Sequence, residues 1–261
     1  MGKKLTILKL GGSLITFKDQ PSTTNEIALN NVVQEIKAAG LPNDSGKLML
    51  IHGGGSYGHY FAKKFSLSQN PKRMRVDAIS TTSSAMLKLH SIVLGHLDHA
   101  GVACKTILAP SILNISDLNI SSNGIDYLNT IIESHLIPIT FGDVMVTKRG
   151  AYVVSGDSIA EAVAGALPTE RVIFAMDVDG VYSSTSSRSE LIKKLISSRE
   201  FETTVGKFDV TGGLRSKVEC ALRIAKMGVD VFFANGLKRH RLSKLLQGDR
   251  EVRSTCIPAI S

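Results

Sequence analysis

The chain has few aromatic side chains. It contains no tryptophan, and aromatic residues make up only 5% of its 261 positions. Proteins that bind single-stranded nucleic acid stack bases on aromatic rings, so this class of protein is poorly supported. The net charge of +8 is spread along the chain, apart from one basic cluster at 238–244 that is typical of a solvated helix face. A basic surface also suits an enzyme with polyanionic substrates, and we expect no nucleic-acid partner.

Long apolar runs and paired cysteines are also missing. No run approaches the roughly 20 apolar residues that cross a bilayer, and the segment after Met1 lacks the features of a signal peptide. We therefore expect no membrane partner and a cytoplasmic protein. Cys104, Cys220 and Cys256 lie far apart, with no CxxC pair and no histidine at ligand spacing. This spacing argues against a zinc site or a disulfide framework and predicts reduced thiols in the core.

Strand-like and helix-like segments alternate along the whole chain. Continuous apolar strands separated by helices are typical of a mostly parallel sheet covered on both faces. We therefore expect an α/β fold, a three-layer α/β/α sandwich, in a single domain over residues 1–261. Strands are predicted at 5–10, 47–51, 102–108, 136–141, 171–176, 229–234 and 254–258, a hairpin at 144–154, and helices at 26–39, 77–100, 124–134, 158–166 and 214–227.

Two of the predicted strands run into glycine-rich turns, KLGGS at 9–13 and HGGGSYGH at 52–59. Glycines let the backbone approach an anion and point successive N–H groups at it. Ligands of open α/β sheets collect beyond the carboxyl ends of the strands, so two such turns favour a phosphate site. Neither turn is a Walker A sequence, and neither fits the dinucleotide pattern GxGxxG in its usual setting. NAD is therefore not favoured.

Three lysines accompany these turns. Lys9 lies within the first strand end, Lys18 follows the first turn, and Lys217 opens a helix. Phosphoryl transfer is catalysed by positioning and by cations that stabilise charge on the moving group. Taken singly, Lys18 and Lys217 also fit ordinary surface lysines, but their pairing with glycine turns favours a functional role.

Two acidic segments each fit more than one role. Asp157 in SGD at 155–157 fits a helix N-cap at least as well as a chemical role. The segment DVDGVY at 177–182 comes directly after a buried strand. Its carboxylates fit a Mg²⁺ site, a ribose contact or a simple turn.

Taken in order, the motifs resemble the amino acid kinase superfamily. They are KLGGS at 9–13, HGGGSYGH at 52–59, GD at 142–143, SGD at 155–157, DVDGVY at 177–182 and DVTGG…K at 209–217. The resemblance covers essentially the whole chain, and His59 makes it most similar to the isopentenyl phosphate kinase family. In that family this histidine hydrogen-bonds the phosphate of the substrate. Imidazole suits that role because its N–H donor strengthens as negative charge grows on the acceptor.

The resemblance implies a reaction and a set of residues. The reaction is ATP-dependent phosphorylation of isopentenyl phosphate to isopentenyl diphosphate, with Mg²⁺ and with no metal ligand assigned in the chain. It implies a homodimer, an N-terminal substrate lobe at about 1–165 and a C-terminal nucleotide lobe at about 166–261. The implied catalytic residues are His59, Lys9, Lys18 and Lys217. The implied nucleotide contacts are Lys9, Gly11, Gly12, Ser13, Gly55, Asp177, Tyr182, Gly212, Gly213 and Lys217, and the implied substrate contacts are Gly54, His59 and Gly156.

The sequence departs from the family pattern at three positions. Phe17 stands where an acidic residue is usual, Ser158 where a second aspartate is common, and Tyr57 in place of phenylalanine. One alternative is a kinase of this superfamily that acts on another small anion, such as fosfomycin. Another is a catalytically silent nucleotide-binding protein. Acetylglutamate kinases lack an equivalent of His59 and fit less well.

A five-carbon tail requires an apolar pocket beside the anion site. The candidates on the long predicted helix are Ile79, Met86 and Leu87, and Val144 and Val146 lie on the hairpin. Ordinary core packing explains the same residues.

Overall fold

The computed structural model describes residues 4–42, 46–65, 75–114, 117–148, 150–183, 190–197 and 212–260. Within these ranges the strands are β1 (Leu5–Leu10), β2 (Lys47–His52), β3 (Cys104–Thr106), β4 (Ile137–Phe141), β5 (Asp143–Thr147), β6 (Gly150–Val154), β7 (Thr169–Met176), β8 (Asp230–Asn235) and β9 (Thr255–Ile257). The helices are α1 (Gly12–Ile15), α2 (Glu26–Ala39), α3 (Gly55–Lys64), α4 (Val76–His99), α5 (Ser122–Glu133), α6 (Gly156–Ala166), α7 (Gly212–Ala225) and α8 (Arg241–Leu246).

The main sheet has seven strands in the order β3-β4-β2-β1-β7-β8-β9. All neighbouring pairs are parallel except β8 and β9, which are antiparallel. Strands β5 and β6 form a separate antiparallel hairpin, as predicted for residues 144–154. The strands of the first half of the chain, β1 to β4, lie on one side of the pairing between β1 and β7. The predicted mostly parallel sheet is confirmed.

Helices cover both faces of this sheet, because successive side chains of a strand point to opposite faces. Along β1, Ile7 belongs to a core cluster shared with α5, α6 and α7. The next residue, Leu8, belongs to a second cluster shared with α2, α4 and α8. Burial of these two apolar faces stabilises the fold by about 25 cal/mol for each Å² removed from water. The predicted three-layer sandwich is confirmed.

The basic cluster near the C-terminus includes a helix that is anchored in the core. The α8 side chains Leu242 and Leu245 are fully buried. The carboxylate of Glu35 on α2 accepts hydrogen bonds from the backbone N–H groups of His240 at 2.7 Å and Ser243 at 3.1 Å. The prediction of a solvated helix face therefore holds for the exposed side chains of Lys238, Arg239, His240 and Lys244, but not for Arg241, which is 17% exposed.

The predicted core thiols are confirmed at one position. All three cysteines are free, but only Cys220 is buried, whereas Cys104 and Cys256 are half-buried. Burial raises the pKa of the Cys104 thiol to about 12. In the described part of the chain, no helix is both long enough and apolar enough to cross a membrane.

The two glycine-rich turns touch each other, and this contact predicts a difference in stability between two alanine substitutions. A Cβ at Gly12 would lie 2.2 Å from the backbone nitrogen of Gly55, whereas a Cβ at Gly95 within α4 would meet nothing within 4 Å. We expect Gly12→Ala to lower the free energy of unfolding by about 2 kcal/mol through overpacking. The control Gly95→Ala should raise it by about 0.5–1 kcal/mol. Urea unfolding measures both, and equal effects would contradict the contact.

Candidate active site

The two turns lie side by side at the carboxyl ends of β1 and β2. The Gly53 N–H donates to the Leu10 carbonyl oxygen at 2.9 Å, which extends the pairing of the two strands by one residue. On the other side of β1, the Gly11 N–H donates to the Ala175 carbonyl oxygen at 2.8 Å. The backbone hydrogen bonds of three neighbouring strands therefore fix the position of both turns.

Each turn leads directly into a helix, which the sequence analysis did not identify. Gly12 begins α1 and Gly55 begins α3, and Gly55 has a φ of 47°, which favours glycine. Thr16 joins the two segments, because its hydroxyl donates to the Gly12 carbonyl oxygen and accepts from the Ser56 N–H at 2.9 Å. The N-terminal N–H groups of two helices thus come together at one edge of the sheet, where they favour anions.

A buried carboxylate holds two of the predicted lysines. The Lys9 Nζ lies 2.6 Å from Asp157 Oδ1, and the Lys217 Nζ lies 3.4 Å from Asp157 Oδ2. Asp157 is in the first turn of α6, whose N-cap is Ser155, because the Ser155 side chain accepts from the Ser158 N–H. The N-cap interpretation of Asp157 is therefore wrong, and its carboxylate instead joins β1, α6 and α7.

Burial and the neighbouring charges shift the pKa values of Lys9 and Asp157 in opposite directions. Burial alone would raise the pKa of Asp157, but the ammonium groups of Lys9 and Lys217 outweigh it and hold that pKa below its ordinary value. Burial lowers the pKa of Lys9, and the carboxylate of Asp157 offsets only part of this effect. Two cations and one carboxylate leave a net positive charge, which suits an anionic ligand at the edge of the cluster.

A second carboxylate holds the third lysine. Asp177 follows β7, accepts a hydrogen bond from the Ser13 hydroxyl at 3.0 Å, and forms an ion pair with Lys18 at 3.0 Å. Burial would raise the pKa of Asp177, but Lys18 and Ser13 together hold it below its ordinary value. The Lys18 side chain is 66% exposed, so its ammonium group is accessible to a ligand on the first turn.

A third carboxylate, that of Asp179 in the DVDGVY segment, is held by partners that the sequence did not predict. Asp179 accepts hydrogen bonds from Asn235 at 3.0 Å, Arg241 at 2.6 Å and Arg253 at 2.7 Å. Burial would raise its pKa, but these partners lower it to about 2. Asp179 and, after it, a side-chain hydrogen bond with Tyr182 raise the pKa of the Arg253 guanidinium. These contacts fix the DVDGVY segment against β8 and the loop before β9.

Some of the remaining predicted site residues have described surroundings, and others lie wholly or partly outside the described part of the chain. Gly156 adjoins the cluster, because a Cβ there would lie 3.5 Å from Lys9 Cε and 3.1 Å from the His52 carbonyl oxygen. Gly54 lies in the second turn, and Gly213 in the first turn of α7 is exposed. His59 lies in α3 and Gly212 begins α7, but the side chain of His59 lies outside the described part of the chain. The same is true of residues 209–211 of the DVTGG motif.

The departures from the family pattern have separate structural contexts. The Tyr57 hydroxyl hydrogen-bonds the Thr24 hydroxyl at 2.9 Å in the core. The Ser158 hydroxyl lies 2.9 Å from the Ser155 hydroxyl at the N-terminus of α6. Phe17, in contrast, is 44% exposed beside Lys18 in the sequence. Ser158 therefore extends the cap of α6 rather than adding a carboxylate to the site.

The arrangement fits the binding of several phosphate groups in a row. It combines three lysines, two glycine-rich turns and the N-terminus of α6 at one edge of the sheet, and all of these favour negative charge. Within the described residues, no group of three or more potential ligands of the His, Cys, Asp and Glu types is placed to hold a metal ion. Both nearby carboxylates, Asp157 and Asp177, are instead engaged with lysines.

Comparison with known proteins gives consistent matches over most of the chain. The sequence model of the Amino acid kinase family matches residues 4–235. The isopentenyl phosphate kinase of Methanothermobacter thermautotrophicus is 31% identical over 97% of this chain and 98% of its own length. That of Methanocaldococcus jannaschii is 28% identical over 95% and 96%, respectively. Among solved structures, one of an isopentenyl phosphate kinase has a TM-score of 0.80 and 28% identity, and covers 97% of this chain and 99% of its own.

The ion pair between Lys9 and Asp157 predicts a large effect of neutralising the carboxylate. We expect Asp157→Asn to lower the free energy of unfolding by about 3 kcal/mol, because a buried ammonium group loses its counter-charge. The double variant Lys9→Met/Asp157→Asn should recover most of this loss. Urea unfolding of the wild type and of the three variants, including Lys9→Met alone, measures the coupling.

The same pair predicts a pH dependence. Because the pKa of Asp157 is lowered in the folded state, its contribution is present above the ordinary aspartate pKa of about 4 and is lost as the pH falls through the folded value. The difference between wild type and Asp157→Asn should therefore shrink below about pH 4. A constant difference at all pH values, or fully additive single variants, would contradict the pairing.

Proposed function

Because the chain belongs to the amino acid kinase family, we propose that it transfers the γ-phosphoryl group of ATP to isopentenyl phosphate. The products are isopentenyl diphosphate and ADP, a step of isoprenoid biosynthesis by an alternative mevalonate route. The observation that carries this proposal is the cluster of three lysines, held by Asp157 and Asp177, at two touching glycine-rich turns. The full-length similarity to isopentenyl phosphate kinases supports the choice of substrate.

The nucleotide occupies the first turn and the N-terminus of α7 in this proposal. The backbone of Gly11, Gly12 and Ser13 follows the phosphates, with Lys9, Gly55, Gly213 and Lys217 around them, and Asp177 and Tyr182 lie by the nucleoside. Lysine ammonium groups neutralise the phosphate oxygens, and the start of a helix offers unpaired N–H donors. Mg²⁺, when bound, neutralises charge on the phosphates. The described residues contain no three-ligand cluster for this ion. Asp177, whose carboxylate contacts Ser13 and Lys18 at the first turn, would supply a protein oxygen ligand.

The reaction forms one phosphorus–oxygen bond and breaks another. An oxygen of isopentenyl phosphate attacks the γ-phosphorus, and the bond to the bridging oxygen of the β-phosphate breaks as ADP leaves. The attacking oxygen is already ionised, so no general base is needed. Lys18 forms an ion pair with Asp177 in this structure. In the proposed reaction its ammonium group stabilises the negative charge on the transferred phosphoryl group. Lys217 and Lys9 stabilise the same group from the side of α6 and α7.

The acceptor occupies the second turn. Its phosphate contacts the backbone of Gly54 and Gly156 and the side chain of His59, as the family resemblance implies. Met86 packs under this turn, because a Cβ at Gly54 or at Gly58 would each lie 2.9 Å from its sulfur. Met86 and Val144 are buried, whereas Leu87 and Val146 are largely exposed. The contact of Met86 with Gly54 and Gly58 makes it the strongest candidate for the wall of the tail pocket.

Three further proposals come from the family resemblance. The substrate lobe comprises about residues 1–165, which supply β1 to β6, and the nucleotide lobe about 166–261, which supply β7 to β9. The protein functions as a homodimer. It is located in the cytoplasm, where ATP is available.

The proposed reaction is tested by an ADP-release assay with purified protein, ATP and Mg²⁺. We compare isopentenyl phosphate, fosfomycin and N-acetylglutamate as acceptors and expect turnover of isopentenyl phosphate alone. His59→Ala should reduce kcat/KM by roughly 10- to 100-fold, the range expected for a lost hydrogen bond to a charged group. Turnover of another acceptor would replace the substrate but keep the kinase. No turnover of any acceptor, with ATP still bound, would indicate a silent nucleotide-binding protein.

The position of Met86 predicts the chain-length preference. Met86→Ala should enlarge the tail pocket and raise kcat/KM for geranyl phosphate relative to isopentenyl phosphate by about tenfold, the scale of a few apolar contacts. Met86→Leu conserves the volume and serves as the matched control. An unchanged preference in Met86→Ala would remove Met86 from the pocket wall.

A further inference from the structure

Two buried histidines connect the second glycine-rich turn to β3, the edge strand of the sheet. His52 is the last residue of β2, and His90 lies on α4. The His52 Nε2 lies 3.0 Å from the His90 Nδ1, and the His90 Nε2 lies 2.9 Å from the Thr106 hydroxyl oxygen. At the other end, the His52 Nδ1 lies 3.2 Å from the carbonyl oxygen of Gly53. These contacts form one continuous chain from β3 to the turn.

The acceptor at the end of this chain fixes where each proton lies. A carbonyl oxygen only accepts, so the His52 Nδ1 must carry a proton in order to donate to Gly53. In a neutral imidazole the Nε2 of His52 is then an acceptor, and it receives the proton of the His90 Nδ1. The Nε2 of His90 is in turn an acceptor, and it receives the hydroxyl proton of Thr106. Every donor in the chain points toward the glycine turn.

The neutral state that this pattern requires is consistent with the surroundings of both rings. Burial lowers the pKa of His52 to about 3 and that of His90 to about 4. The ring of Phe141 packs against both imidazoles, with centroid distances of 5.2 Å to His52 and 4.5 Å to His90. The two imidazole rings are nearly coplanar, with an interplanar angle of 14°, as an in-plane N–H···N hydrogen bond requires. The three packed rings leave little freedom for either histidine to turn.

The hydrogen bond to Gly53 sets the direction of the next N–H group. A trans peptide is planar, so its C=O and N–H bonds point in opposite directions. When His52 holds the Gly53 carbonyl oxygen on the buried side, the N–H of Gly54 points to the opposite side. Among the described residues, no oxygen accepts a hydrogen bond from that N–H. The turn therefore presents a free donor whose direction depends on His52.

We infer that Thr106, His90 and His52 form a positioning relay that orients the peptide between Gly53 and Gly54, so that the Gly54 N–H donates to the phosphate of the acceptor substrate. This inference rests on the proposed function, which places the acceptor phosphate at Gly54. The three residues act through the turn and do not touch the reacting atoms. Because the donor is present before and after the reaction, its loss weakens acceptor binding more than it slows the chemical step.

Kinetics of matched variants test the relay. His52→Phe keeps a ring but removes the donor, and we expect it to raise KM for isopentenyl phosphate by about tenfold, the scale of one hydrogen bond to a charged group. The KM for ATP and kcat should each change by less than about twofold. His52→Asn places an amide nitrogen where the Nδ1 lies, so it should restore KM to within about threefold of the wild type. Equal losses in His52→Phe and His52→Asn would overturn the relay.

A spectroscopic measurement tests the relay without relying on turnover. In ¹⁵N NMR of the wild-type protein at pH 7, both His52 and His90 should carry their proton on Nδ1. Thr106→Val, a near-isosteric change on half-buried β3, should release His90 from this tautomer and raise KM for the acceptor. A proton on the Nε2 of His52 would overturn the inference even if the chain is an active kinase. A wild type with the expected tautomers but no turnover of isopentenyl phosphate would instead overturn the proposed function, and the substrate role of the relay with it.

Discussion

A lysine ammonium group inside the central sheet needs a negative partner, and much of the site depends on how this requirement is met. Lys9 lies on β1, between two neighbouring parallel strands, and is only 4% exposed. Its partner, Asp157, is in the first turn of α6, and that carboxylate also reaches Lys217 on α7. One carboxylate, through two ion pairs, therefore holds a strand and the N-terminal parts of two helices at the same edge of the sheet. Without it, the positive charges would repel one another and the buried ammonium group would be unpaired.

The lysine cluster and the backbone N–H groups of the two turns both carry positive charge or partial positive charge, so both favour an anionic ligand. The turns after β1 and β2 are fixed by hydrogen bonds between neighbouring strands and lie in contact at Gly12 and Gly55. Asp177 holds Lys18 at the open side, where the lysine is exposed. A ligand with several phosphates thus meets fixed N–H donors and preorganised cations, and little reorganisation is needed when charge moves between two phosphate groups.

Strands, helices and turns can be predicted from the local sequence, whereas contacts between residues far apart in the sequence cannot. The strands and most helices follow from apolar periodicity, and the two glycine turns from their position after strands. Helix α1 was missed because it has only four residues. Helix α3 was missed because two glycines, which have low helix propensity, lie in its first turn. The role of Asp157 was left open because SGD allows either Ser155 or Asp157 to cap α6. The contacts of Asp179 with Arg241 and Arg253 span 62 and 74 residues, a separation that no local pattern reveals.

The central claim is that the lysines act on the moving phosphoryl group rather than only on bound ATP. The most direct test is the affinity for a transition-state mimic, MgADP with aluminium fluoride and isopentenyl phosphate, measured by calorimetry for the wild type and Lys18→Met. We expect Lys18→Met to weaken binding of the mimic by at least about a hundredfold, while binding of MgADP or isopentenyl phosphate alone changes by less than about threefold. Equal losses for the mimic and for the separate ligands would contradict the central claim.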